Sequence, residues 1–426
     1  MGVRAGAVEG LVQLNRPPPR CRLCRAALPT TLIDLGDMPL ANALPTPAQA
    51  ARGADPVYPL HVRLCHDCGL AQADDAVPPA EIFADYPYFS SVSASWVAHA
   101  AAFAGAVAAR MALGRGATVL EIASNDGYLL QHFQARGIGV LGIEPAANVA
   151  RVAVARGIPT RIAFFDRACA AALAGEGLRA ELVVANNVLA HVPDPGGFVA
   201  GIAAVLAPEG LVSIEFPHLL CLLAGVQFDT IYHEHLSYLS LGVVERMLSA
   251  AGLRACAVER LPTHGGSLRV FACHQAAHWP DGPGLAEVRD AEAAGLAAAA
   301  AGFAARAAAV RCGLRRFLDA AAGAGRRVAA YGAAAKGATL LNACGVSAAD
   351  IACVADAGTA KHGRLLPGCR VPIVAPARLR QARPDDILIL PWNLADEIAA
   401  DLADVAAAGT RLWVAVPALR RISRGR

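Results

Sequence analysis

Short apolar runs and amphipathic segments alternate along two separate stretches of the chain. Residues 118–122 (TVLEI) and 140–144 (VLGIE) are such runs, and each precedes a segment whose apolar residues have helical spacing. Alternation of this kind predicts parallel α/β sheets with helices packed against them. Two strand-like runs in direct succession, 253–261 and 267–274, predict an antiparallel pair that closes the first sheet.

This pattern divides the chain into three predicted domains. Residues 1–85 are rich in proline and show little helical periodicity, whereas residues 86–280 hold the first α/β alternation. Residues 281–426 open with a long alanine-rich helix and then repeat the alternation, after a Pro- and Gly-containing linker at 278–284. The predicted fold class is therefore α/β, with a central Rossmann-like domain, a small N-terminal domain and a second Rossmann-like domain at the C-terminus.

Composition narrows the classes of protein that fit. The formal net charge of +3, without any long basic run, argues against a dedicated nucleic-acid-binding protein. The apolar fraction is 55%, but charged residues interrupt the alanine-rich stretch 284–323, so we predict no transmembrane helix. Residues 1–20 lack the apolar core of a signal peptide. We expect a cytoplasmic monomer with no membrane and no nucleic-acid partner.

Four of the twelve cysteines form two CxxC pairs, Cys21 with Cys24 and Cys65 with Cys68. Two such turns supply the four thiolates that a tetrahedral zinc ion requires. Because the protein fills all four positions, we predict a structural zinc ion that stabilises a small domain, in preference to a catalytic zinc or disulfides. The other eight cysteines are expected to be small buried apolar residues in a reducing compartment.

The run 118–122 leads directly into ASNDGYLLQHF, a turn followed by an amphipathic helix. Backbone amides at such a helix start approach a bound ligand, and an acid at the end of the next run suits ribose hydroxyls. A dinucleotide site would call for GxGxxG, whereas this loop has one glycine, so we predict S-adenosylmethionine as the cofactor. The candidate cofactor residues are Glu121, Ala123, Asn125, Gly127, Tyr128, Glu144, Pro145, Asn186 and Asn187.

A polar cluster, FDTIYHEH at residues 228–235, follows a predicted core strand. It falls at the carboxyl end of the sheet, where doubly wound folds bind their ligands. The cluster contains Tyr232, Glu234 and His235, and His191 reaches the same rim from another strand end. A metal site at His233 and His235 is an alternative, although their spacing differs from HExxH.

At this point the chain resembles a known family. The motifs CRLC with LCHDCGL, LEIASNDGYLL, FDTIYHEHLSYLS, HGGSLRVF and YGAAAKGATLLN, spread over nearly the whole chain, resemble those of nucleotide-sugar C-methyltransferases that modify keto-deoxysugars for antibiotic glycosides. The resemblance implies a zinc-binding domain, a class I methyltransferase core and a C-terminal Rossmann-like domain. It also implies a nucleoside-diphosphate 4-keto-6-deoxy sugar as substrate, methylated at C3 through a base-generated enolate.

The resemblance further implies roles for single residues. His235 would be the base, and Glu234 would orient or tune it. The remaining residues assigned to catalysis would bind the keto or enolate oxygen or face the substrate, and they are Tyr232, His191 and Tyr86.

The C-terminal segment has its own candidate site at GAAAKG, directly after the run 328–331. Small residues let the backbone approach a phosphate, and Lys336 supplies a positive charge, although no Walker A motif is present. We predict a site for the substrate's diphosphate, with packing by a degenerate duplicate domain as the alternative. The candidate substrate-binding residues are Tyr88, Ser90, Gly332, Lys336, Asp356, His362, Arg364 and Asn393.

Two other functions are weighed against this one. An NAD-dependent sugar-nucleotide oxidoreductase would use either Rossmann-like segment, but neither segment carries GxGxxG. A zinc-ribbon RNA methyltransferase would need a basic, aromatic-rich face, which the balanced charge does not favour.

Overall fold

The computed structural model describes residues 19–78, 82 and 89–422. Three β-sheets of four, seven and six strands follow one another along this part of the chain. The second and third sheets alternate with helices, as the sequence predicts, and the first sheet is antiparallel.

The N-terminal sheet takes one of its four strands from the middle of the chain. Its own strands are β1 (Thr30–Pro39), β2 (Val57–Leu64) and β3 (Ala71–Ala73), with the short helix α1 (Pro47–Ala50) between the first two. The fourth strand, β9 (Ser237–Tyr238), pairs with β3 and directly follows the polar cluster at 228–235. This pairing fixes the cluster to the N-terminal sheet.

The central sheet has the order β10-β11-β8-β7-β4-β5-β6. Its strands are β4 (Thr118–Ile122), β5 (Gly139–Ile143), β6 (Thr160–Arg161), β7 (Ala180–Asn186), β8 (Leu206–Pro217), β10 (Leu253–Leu261) and β11 (Ser267–His274). Only β11 is antiparallel to its two neighbours, which confirms the predicted closing pair. This arrangement is the class I methyltransferase fold.

Seven helices accompany the central sheet and bury one apolar face each. They are α2 (Ala94–Arg110), α3 (Leu130–Gln134), α4 (Ala147–Ala155), α5 (Arg167–Gly175), α6 (Pro195–Val205), α7 (Leu219–Ala224) and α8 (Leu241–Ala250). In α8 the helically spaced apolar residues Leu241, Val244 and Leu248 are fully buried, and the Ser240 hydroxyl caps the helix by accepting from the amide of Val243 at 3.3 Å.

The predicted single alanine-rich helix is in fact two helices, α9 (Leu285–Ala300) and α10 (Phe303–Gly323). The chain turns by 61° between them, where Gly302 adopts the left-handed φ of 68° that favours glycine. Among the described residues no single helix is long and apolar enough to cross a membrane, and this bent pair meets that test only when taken together.

The C-terminal sheet has the order β14-β13-β12-β15-β16-β17. Its strands are β12 (Val328–Tyr331), β13 (Val354–Ala355), β14 (Ile373–Val374), β15 (Asp386–Ile389), β16 (Arg411–Val414) and β17 (Arg420–Arg421), and only β17 is antiparallel. Its helices are α11 (Ala335–Ala343), α12 (Pro376–Ala382), α13 (Ala395–Asp401) and α14 (Ala403–Ala407). Ile351 lies before β13 and is buried as a core residue.

One apolar core runs through all three parts of the molecule. Leu60 of the N-terminal sheet, Phe228 of the central part and Leu341 of the C-terminal part are buried members of the same cluster. Phe228 begins the segment 228–235, so the polar cluster lies at the junction of the three sheets. The shared core holds side chains from all three around one site.

Candidate active site and zinc centre

The four predicted zinc ligands converge at the turn between β2 and β3. Their sulfur atoms all lie within 4.8 Å of one another, and the Cys21–Cys68 and Cys24–Cys65 pairs are each 3.5 Å apart. Zn–S bonds of about 2.3 Å in a tetrahedron separate the sulfurs by about 3.8 Å, so the four thiols fit a zinc ion closely. A hydrogen bond with Cys68 lowers the pKa of Cys21 to about 5 despite its burial. The predicted structural zinc site is confirmed.

The alternative metal site at His233 and His235 gains no support from the structure. Within residues 19–78, 82 and 89–422, the four cysteines are the only group of three or more potential ligands close enough to share a metal ion. His233 contacts the N-terminal sheet instead. Its Nε2 lies 3.2 Å from the carbonyl oxygen of Tyr58, and the two rings pack edge-on at 5.9 Å.

The predicted cofactor loop leaves β4 as a tight turn. Ala123, Asn125 and Gly127 all have left-handed φ values, of 57°, 50° and 79°. A Cβ on Gly127 would meet the Ile158 side chain at 3.0 Å, so glycine is needed here for space as well as for φ. Glu144, directly after β5, accepts hydrogen bonds from the amides of Asn125 at 2.9 Å and Ala146 at 2.8 Å. The acid therefore fixes the loop.

Buried polar atoms around this loop lack partners. Within the described residues, no hydrogen-bond partner meets Glu121 Oε2, Ser124 Oγ, Asp126 Oδ1 or Asn187 Oδ1. Burial, with the charges of Glu144 and Asp126, holds the pKa of Glu121 well above its usual range. Such atoms are costly unless a ligand satisfies them, so the pocket fits a polar, positively charged cofactor such as S-adenosylmethionine. Pro145 and Asn186 stand at the ends of their strands beside this loop.

Next to the cofactor loop lies a group of aromatic and charged side chains. The sequence analysis did not identify this group. The Trp96 ring stacks on His99 at 5.0 Å and on the predicted cofactor residue Tyr128 at 6.3 Å. Arg269 donates to Glu215 at 2.7 Å, and both line a small cleft with these rings. The HGGSLRVF motif was the available signal, since it contains Arg269.

His235 is held as a neutral imidazole. Its Nδ1 lies 2.7 Å from the carbonyl oxygen of Thr230, and because a carbonyl can only accept, Nδ1 carries the proton and Nε2 is an acceptor. Burial lowers the pKa of His235 well below its usual range, and the charges of His191, His264 and Lys336 lower it further. The ring therefore presents an unprotonated nitrogen at neutral pH, as a general base requires.

Glu234 has a partner in the N-terminal sheet region. Its Oε1 accepts a hydrogen bond of 2.6 Å from the side-chain amide of Asn42. Burial raises the pKa of Glu234 to about 7, and the Asn42 bond opposes that rise. The hydrogen bond that holds the His235 ring is made to Thr230, so the orienting role expected for Glu234 gains no support from this geometry, and its tuning role stays a prediction. Asn42 was missed because no local pattern marks a contact across 192 residues.

His191 and Tyr232 flank the His235 ring. Their ring centroids lie 4.9 Å and 4.0 Å from that of His235. His191 Nδ1 lies 2.7 Å from the carbonyl oxygen of Glu234, so its Nδ1 proton is already used, and burial lowers its pKa. A neutral His191 has no second proton to donate, and the oxygen-binding role predicted for it gains no support from this geometry. Tyr232 keeps that role as a prediction.

The C-terminal part brings Lys336 to the same junction. Its Nζ donates to the Asn393 side chain at 2.6 Å and lies 4.8 Å from the centre of the Trp392 ring. Trp392 Nε1 in turn donates to Asp229 Oδ2 at 2.7 Å, three residues before Tyr232. Burial raises the pKa of Asp229 to about 6, although the Lys336 charge and the Trp392 bond lower it. Lys336 and Asn393 thus lie beside the catalytic cluster.

The other predicted substrate residues are more dispersed. Asp356 accepts from the amides of Ala333 and Gly358, each at 2.7 Å, and His362 contacts the carbonyl of Asp356, so these two support the loop around Gly332. Arg364 lies apart and donates to the carbonyl oxygen of Leu44 at 3.0 Å.

Three predicted residues precede the cofactor loop. The Ser90 amide donates to Asn125 Oδ1 at 2.9 Å, which places Ser90 at the cofactor loop instead of among the substrate residues. Tyr86 and Tyr88 lie outside the described residues.

Protein-family models match three successive parts of the chain. They describe a zinc binding domain over residues 21–83, a methyltransferase domain over 96–258 and a C-methyltransferase C-terminal domain over 262–417. These matches cover the zinc centre, the cofactor loop with the 228–235 cluster, and the Lys336 region in turn.

Curated proteins and solved structures give further similarities. C-methyltransferase NovU of Streptomyces niveus is 36% identical over 411 residues, which cover 96% of this chain and 98% of NovU. A ubiquinone biosynthesis O-methyltransferase of Rhodopseudomonas palustris is 29% identical over 99 residues, 23% of this chain and 39% of that protein. Magnesium protoporphyrin IX methyltransferase from Synechocystis, solved with bound SAM, is 16% identical over 42% of this chain and 78% of its own, with a TM-score of 0.31.

Proposed function

Because the chain belongs to the C-methyltransferase family, we propose that it methylates carbon 3 of a nucleoside-diphosphate 4-keto-6-deoxy sugar through an enolate. The predicted S-adenosylmethionine-dependent methyltransferase is confirmed by the family and its methyltransferase domain, and the oxidoreductase alternative is wrong. The observation that carries the finer proposal is the fixed tautomer of His235, whose Nδ1 proton is held by the Thr230 carbonyl.

The reaction begins with proton removal at a carbon made acidic by the neighbouring ketone. Nε2 of His235 takes the C3 proton, and the electrons of that bond form the enolate with its charge on the C4 oxygen. Tyr232, whose ring lies 4.0 Å from His235, is the donor proposed for this oxygen. S-adenosylmethionine, when bound, supplies the methyl group that C3 attacks.

Positive charge is needed at the other end of the substrate. We assign the diphosphate to Lys336, which is held by Asn393 and Trp392 at the junction with the catalytic cluster. Its charge also helps to keep His235 neutral, because a nearby cation lowers the pKa of the imidazole. One side chain would thus bind the substrate and keep the base unprotonated.

The test is deuterium exchange at C3 together with methyl transfer. Wild-type enzyme in D₂O, given nucleotide 4-keto sugars without S-adenosylmethionine, should exchange the C3 hydrogen, as followed by mass spectrometry. His235→Asn should lose both exchange and methyl transfer while binding S-adenosylmethionine normally. The control is His278→Asn, because His278 is an exposed histidine paired with Glu209. Near-normal exchange in His235→Asn would refute the assignment of the base.

A further inference from the structure

A cysteine, a histidine and a glutamate form a connected chain outside the site described above. His218 Nδ1 lies 3.7 Å from the sulfur of Cys221, and its Nε2 lies 2.8 Å from Glu292 Oε1. His218 and Glu292 are buried, whereas Cys221, near the start of α7, is half-buried. Cys221 is thus placed as a nucleophile, His218 as its base and Glu292 as the group that orients the base. This order of groups activates a thiol.

The contacts of Glu292 determine how the protons are arranged. Glu292 also accepts from the amides of Leu241 at 2.5 Å and Gly242 at 3.0 Å, and these donors together with His218 hold its pKa below its usual range despite burial. An ionised Glu292 accepts the Nε2 proton of His218, which leaves Nδ1 to accept from the Cys221 thiol. Burial alone would lower the pKa of His218, but the bonds to Cys221 and Glu292 raise it.

The other cysteines do not share this environment. Burial raises the pKa of the thiols of Cys169, Cys256, Cys344 and Cys369, as expected for small apolar core residues. Cys312 is exposed. Within the described residues, Cys221 is the only cysteine that has a hydrogen bond with a histidine. The expectation that the eight scattered cysteines are small buried apolar residues is therefore wrong for Cys312, which is exposed, and for Cys221, which is half-buried beside His218.

The sulfur also lies against a turn that borders the active site. A Cβ built on Gly266 would lie 2.8 Å from Cys221 Sγ, so no room for another atom exists on that side. Gly266 follows the 3-10 turn Thr263–Gly265, in which Gly265 packs on the Trp392 ring and its carbonyl accepts from Gln227 at 2.8 Å. An atom added to the sulfur on this side must move Cys221 or the turn.

We propose that Cys221 is a peroxide-sensitive thiol, activated by His218 and Glu292, whose oxidation displaces the turn at residues 263–266 and slows methyl transfer. The thiolate sulfur attacks one peroxide oxygen, the O–O bond breaks, and the imidazolium of His218 protonates the leaving hydroxide to water. Sulfur is oxidised to sulfenic acid and the peroxide is reduced. Only the effect on turnover rests on the proposed function, since the thiol chemistry is independent of it.

The first test measures thiol reactivity directly on the zinc-loaded enzyme. Iodoacetamide labelling is followed residue by residue with peptide mass spectrometry at several pH values, with Cys312 as the matched reference. Because His218 stands within reach to take the thiol proton, Cys221 should react at least about tenfold faster than Cys312. A Cys221 rate equal to or below that of Cys312 would overturn the proposal.

The second test measures how oxidation of Cys221 affects turnover and the turn at residues 263–266. Cys221→Ser should retain basal turnover and resist a hydrogen peroxide dose that slows the wild type, with zinc release monitored by a chromogenic chelator. In the wild type, oxidation should also speed hydrogen–deuterium exchange at residues 263–266, a readout that needs no substrate. Equal peroxide inactivation of the two enzymes, or unchanged exchange in the oxidised wild type, would refute the link between thiol and turn.

Discussion

Asn42→Leu tests whether the N-terminal region controls the acid beside the catalytic histidine. Leucine has the branched shape of asparagine but is larger, so it leaves no room for a replacing water, and it brings no donor. The substitution removes the 2.6 Å hydrogen bond to Glu234, whose pKa is about 7 with that bond in place. Because the bond favours the ionised carboxylate, its loss must raise the pKa further.

The size of the effect follows from the strength of the bond. A hydrogen bond to a charged group contributes about 1.5–3 kcal/mol, and a pKa unit corresponds to about 1.4 kcal/mol, so the pKa of Glu234 should rise by about one to two units. If the ionised form is the active one, the active fraction at pH 7 falls about 5- to 50-fold, and activity returns to within about twofold of wild type near pH 9.

The assay measures kcat/KM between pH 5.5 and 9.5. The quantity compared is the midpoint of the acid limb of this pH profile. The matched control is Thr31→Val, which removes a 2.8 Å bond to His61 on the exposed side of the same sheet and should leave the profile in place. A profile that keeps its midpoint in Asn42→Leu, while activity drops equally at every pH, would refute the reasoning.

Three further outcomes are expected. Lys336→Ala should raise the KM for the sugar nucleotide about 10- to 100-fold through loss of a charged contact, and a similar rise for S-adenosylmethionine would contradict its assignment to the diphosphate. Removing zinc with a chelator should weaken sugar-nucleotide binding, measured by calorimetry, far more than cofactor binding, because Asn42 and Tyr58 reach the 228–235 segment from the zinc-bearing domain. Equal losses of sugar-nucleotide and cofactor binding would contradict this prediction. Gly265→Ala should lower the apparent melting temperature more than Gly252→Ala, because both glycines have positive φ but only Gly265 packs on the Trp392 ring. Equal shifts in melting temperature would show that a methyl group against Trp392 does not destabilise the fold.

Local patterns in the sequence predicted the parts of the molecule that depend on neighbouring residues. The CxxC turns, the strand at Thr118–Ile122 with its tight loop, and the antiparallel pair β10–β11 are each specified by a few consecutive positions. Physical rules for turns, strand periodicity and metal ligands act over such short distances, which explains why these predictions succeeded.

The failures share a different cause. The missed contacts join residues that are far apart in sequence: Asn42 with Glu234, Asp229 with Trp392, and His218 with Glu292. No periodicity in the sequence marks such contacts. The break at Gly302 was missed because alanine propensity favours one continuous helix, and a single glycine in such a run is only a weak signal. The tautomer of His235 depends on a carbonyl that becomes its neighbour only when the turn at 228–230 forms.

The pairing of β3 with β9 bears on any attempt to recombine parts of related enzymes. A chimera that imports a foreign zinc-bearing segment would place a new β3 against the resident Ser237–Tyr238 strand, two residues after His235, the proposed base. A poor match there would shift the reacting imidazole even if each half folds well. Crossover points for engineering should therefore move both strands together, treating residues 228–238 as part of the imported N-terminal piece.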